Sequence, residues 1–238
     1  MSLVVVDSKI PKKCEAALVA LGFEVVKLPP FERLAPPVSS HTDMLIFVGN
    51  RQIFCHRDYY ATAKKELDLL SSACGYDLIT SDEYISDKYP HDILFNALLI
   101  GDALYCLKNA PSKLILKYAE QNAIRVKNVK QGYARCSVCA VGHRAAITAD
   151  LSLCNAMRAD GIDVLLINSG NIDLPGYDTG FIGGCAGRFG DKIYFSGNIS
   201  LHPCGKAIED FCLEHGFTPI SLSDDPLFDV GGMIFFNS

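Results

Sequence analysis

Apolar residues along the chain fall into short runs that recur in pairs, each pair split by a glycine and one polar residue. Residues 44–48 and 53–55 flank Gly49-Asn50, and residues 98–100 and 103–107 flank Gly101-Asp102. Residues 138–141 and 145–148 flank Gly142-His143, and residues 181–185 and 192–195 flank Gly190-Asp191. Gly at the first central position suits a type II′ turn, so each pair predicts a β-hairpin. Between the hairpins the period changes. Cys14, Ala17, Leu18 and Leu21 recur at helical spacing, with Pro11 at the start and Gly22 at the left-handed stop, and a strand over 23–28 follows. The same helix-then-strand signature predicts a helix over 58–73 stopped at Gly75 and a strand over 76–81. It predicts helices over 111–121, 150–159 and 203–215, stopped at Asn122, Gly161 and Gly216, with strands over 124–128, 162–167 and 217–222.

The turn glycines lie roughly 50 residues apart, which marks an internal repeat carried by pattern rather than by residue identity. Five helix stops interleave with four hairpin turns. The missing hairpin is predicted to form between residues 227–236 and 3–6, at the two ends of the sequence. The expected fold is therefore α/β, a single domain over 1–238 built as a closed ring of five ββαβ units. Closure leaves no open sheet edge.

Composition narrows the class. Of 238 residues, 49% are hydrophobic and 21% charged, which excludes intrinsic disorder. Lys and Arg number 22 against 27 Asp and Glu, a net charge of -5 with no basic run. That balance argues against a nucleic-acid partner or an anionic membrane surface. Residues 1–7 lack the basic and apolar regions of a signal peptide, and no run is long enough for a membrane helix, so a cytoplasmic location is expected. The 10 scattered cysteines are then expected to be reduced thiols, most of them acting as small hydrophobes. Cys136 and Cys139 have C-x-x-C spacing, yet on a strand they would point to opposite faces, which argues against zinc or a redox site. The glycines at 180, 183, 184, 187 and 190 lack the G-x-G-x-x-G pattern and precede a strand rather than a helix. No metal or cofactor is expected, and those glycines are read as close packing near the ring centre.

The five-unit ring resembles the pentein, or guanidine-group-modifying-enzyme, superfamily. Residues 129–137 (VKQGYARCS), 180–184 (GFIGG) and 226–232 (PLFDVGG) resemble a bacterial branch of that superfamily without an assigned activity. The resemblance implies a pentein α/β propeller. In the superfamily's enzymes a cysteine nucleophile on the last inner strand and a histidine acid/base act on arginine-like substrates, whose guanidinium is gripped by carboxylates. A non-catalytic, ribosome-binding branch carries the same fold, so fold alone does not decide activity. Two departures stand out. The closing strand of the enzymes reads Gly-Gly-x-x-Cys, whereas here Gly231-Gly232-Met233-Ile234 is followed by Phe235. Their H-x-D motif stands ahead of a late hairpin, where this chain has Tyr177-Asp178-Thr179; His41-Thr42-Asp43 has the pattern but precedes an early one.

The candidate residues follow from position. Asp43, Asp92 and Asp229 stand where inner strands begin, so in a ring three carboxylates are expected to face one shared cation, although Asp is also common at strand starts. Cys136 is the candidate nucleophile, read as an inner-strand residue whose neighbour Arg135 points to the opposite face, although core packing is the ordinary reading of a buried Cys. His202, His41 and His91 are the acid/base candidates, each also readable as a loop or cap residue. Two functions remain open at this level. In one, Asp43, Asp92, Asp229 and His41, with Cys136 and His202, bind or hydrolyse a small cationic, amidino or amide-bearing molecule at the ring centre. In the other, a non-catalytic ring binds a macromolecular partner across one face.

Overall fold

A computed structural model describes residues 2–237, so the expected domain limits at 1 and 238 lie just outside it. Five three-stranded sheets stand around one axis, each with an inner, a middle and an outer strand. In every sheet the inner strand is antiparallel to the middle strand, and the middle strand is parallel to the outer. The first sheet takes its inner strand from Ile234–Asn237, its middle strand from Ser2–Asp7 and its outer strand from Glu24–Leu28. The register Leu3↔Phe236 and Val4↔Phe235 joins the two ends of the ring as the pattern predicts. The inner strands of the other sheets are Ile46–Val48, Leu98–Ile100, Val138–Gly142 and Ala186–Phe189. The last of these touches the inner strands on both sides of it, Val138–Gly142 and Ile234–Asn237.

Alternation along the middle strand shows how the core is divided. Leu3 and Val5 pack toward Leu67, Leu70 and Phe236, whereas Val4 and Val6 face Cys14, Leu18 and Tyr194. Both faces of the strand are therefore buried, which explains the uninterrupted apolar run. Helices Lys12–Ala20, Lys64–Cys74, Lys113–Gln121, Leu151–Ala159 and Gly205–Glu214 link middle to outer strands. Among the described residues no helix is long and apolar enough to cross a membrane.

Several boundaries depart from the pattern, each for a physical reason. Gly101 and Gly190 hold the first central turn positions with φ of 62° and 59°, as expected. At the first hairpin the turn moves by one residue: Gly49 N–H donates to Gln52 O at 2.9 Å, leaving Asn50-Arg51 at the centre. Gly49 is small because a Cβ there would stand 2.5 Å from the Tyr118 ring, so its signal was packing, not turn chemistry. Gly142 likewise pairs with Ala145, and His143-Arg144 form the turn. The helix expected over 58–73 breaks at Ala63 into Arg57–Thr62 and Lys64–Cys74. Beyond Lys113–Gln121 the left-handed residue is Ala123, not Asn122.

Two corrections bear on the site. The fourth hairpin's inner strand is Ala186–Phe189 rather than 181–185, because residues 181–185 form turns that wrap a buried carboxylate. The second sheet's inner strand begins only at Ile46, because Thr42–Leu45 makes one helical turn. That turn is tied to the closing loop: Asp43 N–H donates to Gly231 O at 3.1 Å, and Thr42 Oγ1 donates to the same oxygen at 2.7 Å.

Candidate functional site

The inner strands enclose a central channel of about 230 Å³. Its walls include Phe47, Leu99, Ala186, Gly187 and Phe235, and its polar lining comes from Asp43, Arg135 and Arg188. Phe235, where the resemblance implies a cysteine, packs edge-on and tilted against Phe23, Phe189 and Tyr194 at centroid distances of 5.0, 5.6 and 5.1 Å. It is a packing residue with no capacity for nucleophilic attack.

Asp43 is 1% exposed, and neither carboxyl oxygen has a hydrogen-bond partner among the described residues. Burial, reinforced by the nearby Asp229 carboxyl, pushes its pKa up to about 8. At neutral pH it is a neutral carboxylic acid. The Cys136 thiol faces it and accepts from Asn96 Nδ2 at 2.9 Å, while Asn96 Oδ1 accepts from the Arg135 backbone N–H at 2.9 Å. Burial, with the Asp43 and Asp229 carboxyls close by, holds this thiol well above its ordinary pKa. Cys136 is therefore protonated and poorly nucleophilic. It also stands in a turn ahead of Val138–Gly142 rather than on the strand; Arg135 lines the channel while Cys136 turns toward Asp43.

A second group lies in the loops that lead into the inner strands. His41 is 2% exposed, with Nε2 3.6 Å from Asp7 Oδ2 and Nδ1 3.7 Å from Asp229 Oδ1. Burial, and secondarily Lys9, lowers its pKa to about 3, so the ring is neutral. Asp7 accepts from Ser40 Oγ and Lys9 N–H, both at 2.6 Å, and burial raises its pKa above the ordinary carboxylate value. Asp229 accepts from Phe181 N–H at 2.8 Å and Gly231 N–H at 2.9 Å; burial outweighs these bonds and brings its pKa to about 6.

Glycines make room for this group. A Cβ on Gly180 would stand 2.5 Å from Asp229 Cβ, one on Gly184 would enter the Asp229 carboxyl, and one on Gly231 would enter His41. Asp7, His41 and Asp229 form the polar floor of a separate cavity of about 250 Å³. Pro36, Pro37, Leu174 and Phe228 wall it, and it shares no lining residue with the channel.

Of the residues singled out from sequence, Asp43, Cys136, Asp229 and His41 gather in this region. Asp92 does not join them. It accepts from Tyr133 Oη at 2.5 Å and lines neither cavity, so the expected trio of carboxylates around one cation is two carboxylates, each opening on a different space. His202 caps the start of its helix region through Nδ1, which accepts from Cys204 N–H at 3.0 Å; no hydrogen bond or ion pair joins it to Cys136. His91 is exposed and packs on Tyr84. Sequence reasoning missed Asp7 and Arg188. Asp7 ends the apolar run Leu3–Val6, and nothing local in the sequence marks it as buried.

Comparisons with known proteins bear on the family and the fold. A family model described as "Family of unknown function (DUF6873)" matches residues 5–234. No curated protein matches the chain. Among solved structures, DDAH from Pseudomonas aeruginosa complexed with citrulline aligns at a TM-score of 0.55 and 11% identity, covering 93% of this chain and 91% of that one. SxtG, an amidinotransferase of the saxitoxin pathway of Microseira wollei, aligns at 0.54 and 13%, covering 88% and 72%. The N-terminal domain of ArgZ, a cyanobacterial arginine dihydrolase, bound to product, aligns at 0.54 and 9%, covering 94% and 90%. These likenesses show the pentein fold.

Proposed function

The chain belongs to the family of unknown function DUF6873, and we propose that it binds a small organic cation in the cavity floored by Asp7, His41 and Asp229. The observation that carries the reading is the imbalance of buried charge. Asp7 and Asp229 are each at most 2% exposed, and the basic group nearest each is the neutral His41 ring. Lys9, on the rim, has its Nζ donated to Pro36 O and Pro37 O instead. An amidinium or ammonium group entering the cavity supplies the missing positive charge and donates to carboxylate oxygens. The proline, leucine and phenylalanine walls suit an apolar stem behind that charge. The fold's occurrence in an amidinotransferase and an arginine dihydrolase supports this ligand class.

Binding rather than amidino transfer is the reading the site supports. The thiolate route lacks its parts: Phe235 replaces the nucleophile, and Cys136 stays protonated beside Asp43. The cation's affinity is governed by Asp229, which is charged above pH about 6 and neutral below it. Titration calorimetry with agmatine tests the proposal. The expected result is saturable binding above pH 6, weakening by roughly tenfold per pH unit below it and lost in Asp229→Asn. At a hundredfold excess over Kd the ligand stabilises by about 2.7 kcal/mol, a Tm rise of roughly 5–10 °C for a chain of this size. No heat and no Tm rise at millimolar agmatine refutes it. Capture of a macromolecule by the Asp229→Asn variant and the parent alike would favour the partner-binding alternative.

A further inference from the structure

We propose that a third cavity, away from the ring centre, is a site for a compact neutral polyol, a monosaccharide ring. It lies between the sheet of Val138–Gly142 and the segment 167–182 that crosses to the next sheet, and it encloses about 160 Å³. No inner-strand residue lines it, and it shares no lining residue with the central channel or with the Asp7–Asp229 cavity. Its lining mixes two kinds of group. Gln131, Ser137, Asp150, Asn168 and Ser169 supply amides, hydroxyls and a carboxylate, while Ile172, Ile182 and Phe181 supply apolar surface and one aromatic ring. A sugar ring has the matching chemistry, with hydroxyls around its edge and C–H groups on its faces.

Charge decides the ligand class. No Lys, Arg or His lines the cavity, so an anion finds no counter-charge there and meets Asp150. Asp150 does not call for a cation either. It caps the helix Leu151–Ala159, with Oδ1 accepting from Leu153 N–H at 2.8 Å and Ser152 Oγ at 2.7 Å, and Oδ2 accepting from Gln131 Nε2 at 3.1 Å. Burial works against its charge, but these bonds outweigh burial and hold the carboxyl below its ordinary pKa, the reverse of Asp7 and Asp229. Neutral donors and the helix N-terminus already satisfy that charge. What stays open is lone-pair capacity on Oδ2, which a ligand hydroxyl fills.

Ser137 is the second, independent observation. It is 2% exposed, it lines the cavity, and its Oγ has no hydrogen-bond partner among the described residues. Its carbonyl, by contrast, accepts from Thr148 Oγ1 at 2.8 Å. An enclosed hydroxyl left unpaired is the exception in folded proteins, and a short side chain reaches a new partner by one χ1 step. A hydroxylated ligand both donates and accepts, as this group requires.

The test is saturation-transfer NMR and calorimetric titration of the full chain with D-ribose and, separately, with D-glucose. Saturable binding of either at millimolar concentration is expected, indifferent to added salt because the ligand carries no charge. Asn168 is exposed, so Asn168→Ala leaves the core alone; it is expected to weaken binding roughly tenfold through loss of the amide's hydrogen bonds. Ala149 lines the cavity, and Ala149→Leu, which fills it, is expected to abolish binding. Agmatine binding in the Asp7–Asp229 cavity is expected to be unchanged in Asn168→Ala, so the two sites fail or succeed separately. If neither sugar binds, if both variants bind as the parent does, or if salt weakens binding as it would for an ion, the proposal is wrong. Should Ala149→Leu not fold, Asn168→Ala and the salt series still decide.

Discussion

Replacing Asp43 by Asn makes a measurable claim about the price of an enclosed, partnerless acid. The ordinary carboxyl value is 3.8 and the folded value is about 8, with desolvation the largest cause. The folded protein therefore holds a proton that the unfolded chain releases as pH rises. Stability from this group is complete below pH 4, falls as pH rises, and stops falling once pH passes about 8. One pKa unit corresponds to about 1.4 kcal/mol, so the loss over that window is on the order of 5 kcal/mol. Asn has the same shape and no proton to lose. Its amide remains unpartnered at a cost of about 1–3 kcal/mol, but that cost is the same at every pH. Titration of Asp7 and Asp229 occurs in both proteins and largely cancels in the difference. Urea unfolding of parent and Asp43→Asn from pH 4 to pH 9 is the assay. The variant is expected to gain on the parent by about 1.4 kcal/mol per pH unit, levelling near pH 8. A difference that stays flat within about 1 kcal/mol across the series would show that Asp43 is ionised or solvated, and the neutral-acid reasoning would fall with it.

Gly184→Ala is expected to destabilise by about 1–3 kcal/mol, because its methyl enters the Asp229 carboxyl; an unchanged Tm in a melting scan would contradict the packing described. Alkylation followed by peptide mass spectrometry should label Cys204, the one partly exposed thiol, first, with Cys136 resistant up to pH 9. Faster labelling of Cys136 than of buried Cys14 would show a thiolate. Purified protein should release no citrulline or ornithine from arginine, agmatine or methylarginines, since Phe235 stands where a nucleophile is needed; turnover abolished by a point change would show a nucleophile elsewhere. Deleting residues 227–238 should unpair Ser2–Asp7 and unfold or aggregate the chain, and a melting point within a degree or two of the parent would overturn ring closure.

Much of the ring was legible because its strands and helices have different periods and because glycine marks most helix ends. The pairing of Leu3–Val6 with Phe236 and its neighbours followed from counting turns alone. What misled was glycine used for space. Gly49 reads like a turn residue but yields to Tyr118, and Gly183 and Gly184 sit inside an apolar run that looks like a strand yet forms a turn whose amides and space serve Asp229. Asp43 and Asp229 were found through their places at the mouths of inner strands. Asp7 and Arg188 were not found, because nothing local distinguishes a strand-end acid or a hairpin arginine from a solvated one. Their burial or lack of partners depends on loops distant in sequence.

The first sheet has a consequence for the order in which the molecule can be made. Its middle strand, Ser2–Asp7, leaves a ribosome before every other strand of the ring, and its inner strand, Ile234–Asn237, leaves after all of them. At 5–20 residues per second the earlier strand waits roughly 10–50 s for its antiparallel partner. Pairing with Glu24–Leu28 protects one edge meanwhile, while the other edge, carrying Leu3, Val4 and Val5, stays open to any strand that passes. The nascent chain is therefore most vulnerable to self-association while four of its five units are already complete, and a chaperone that holds that single edge would protect most of the yield.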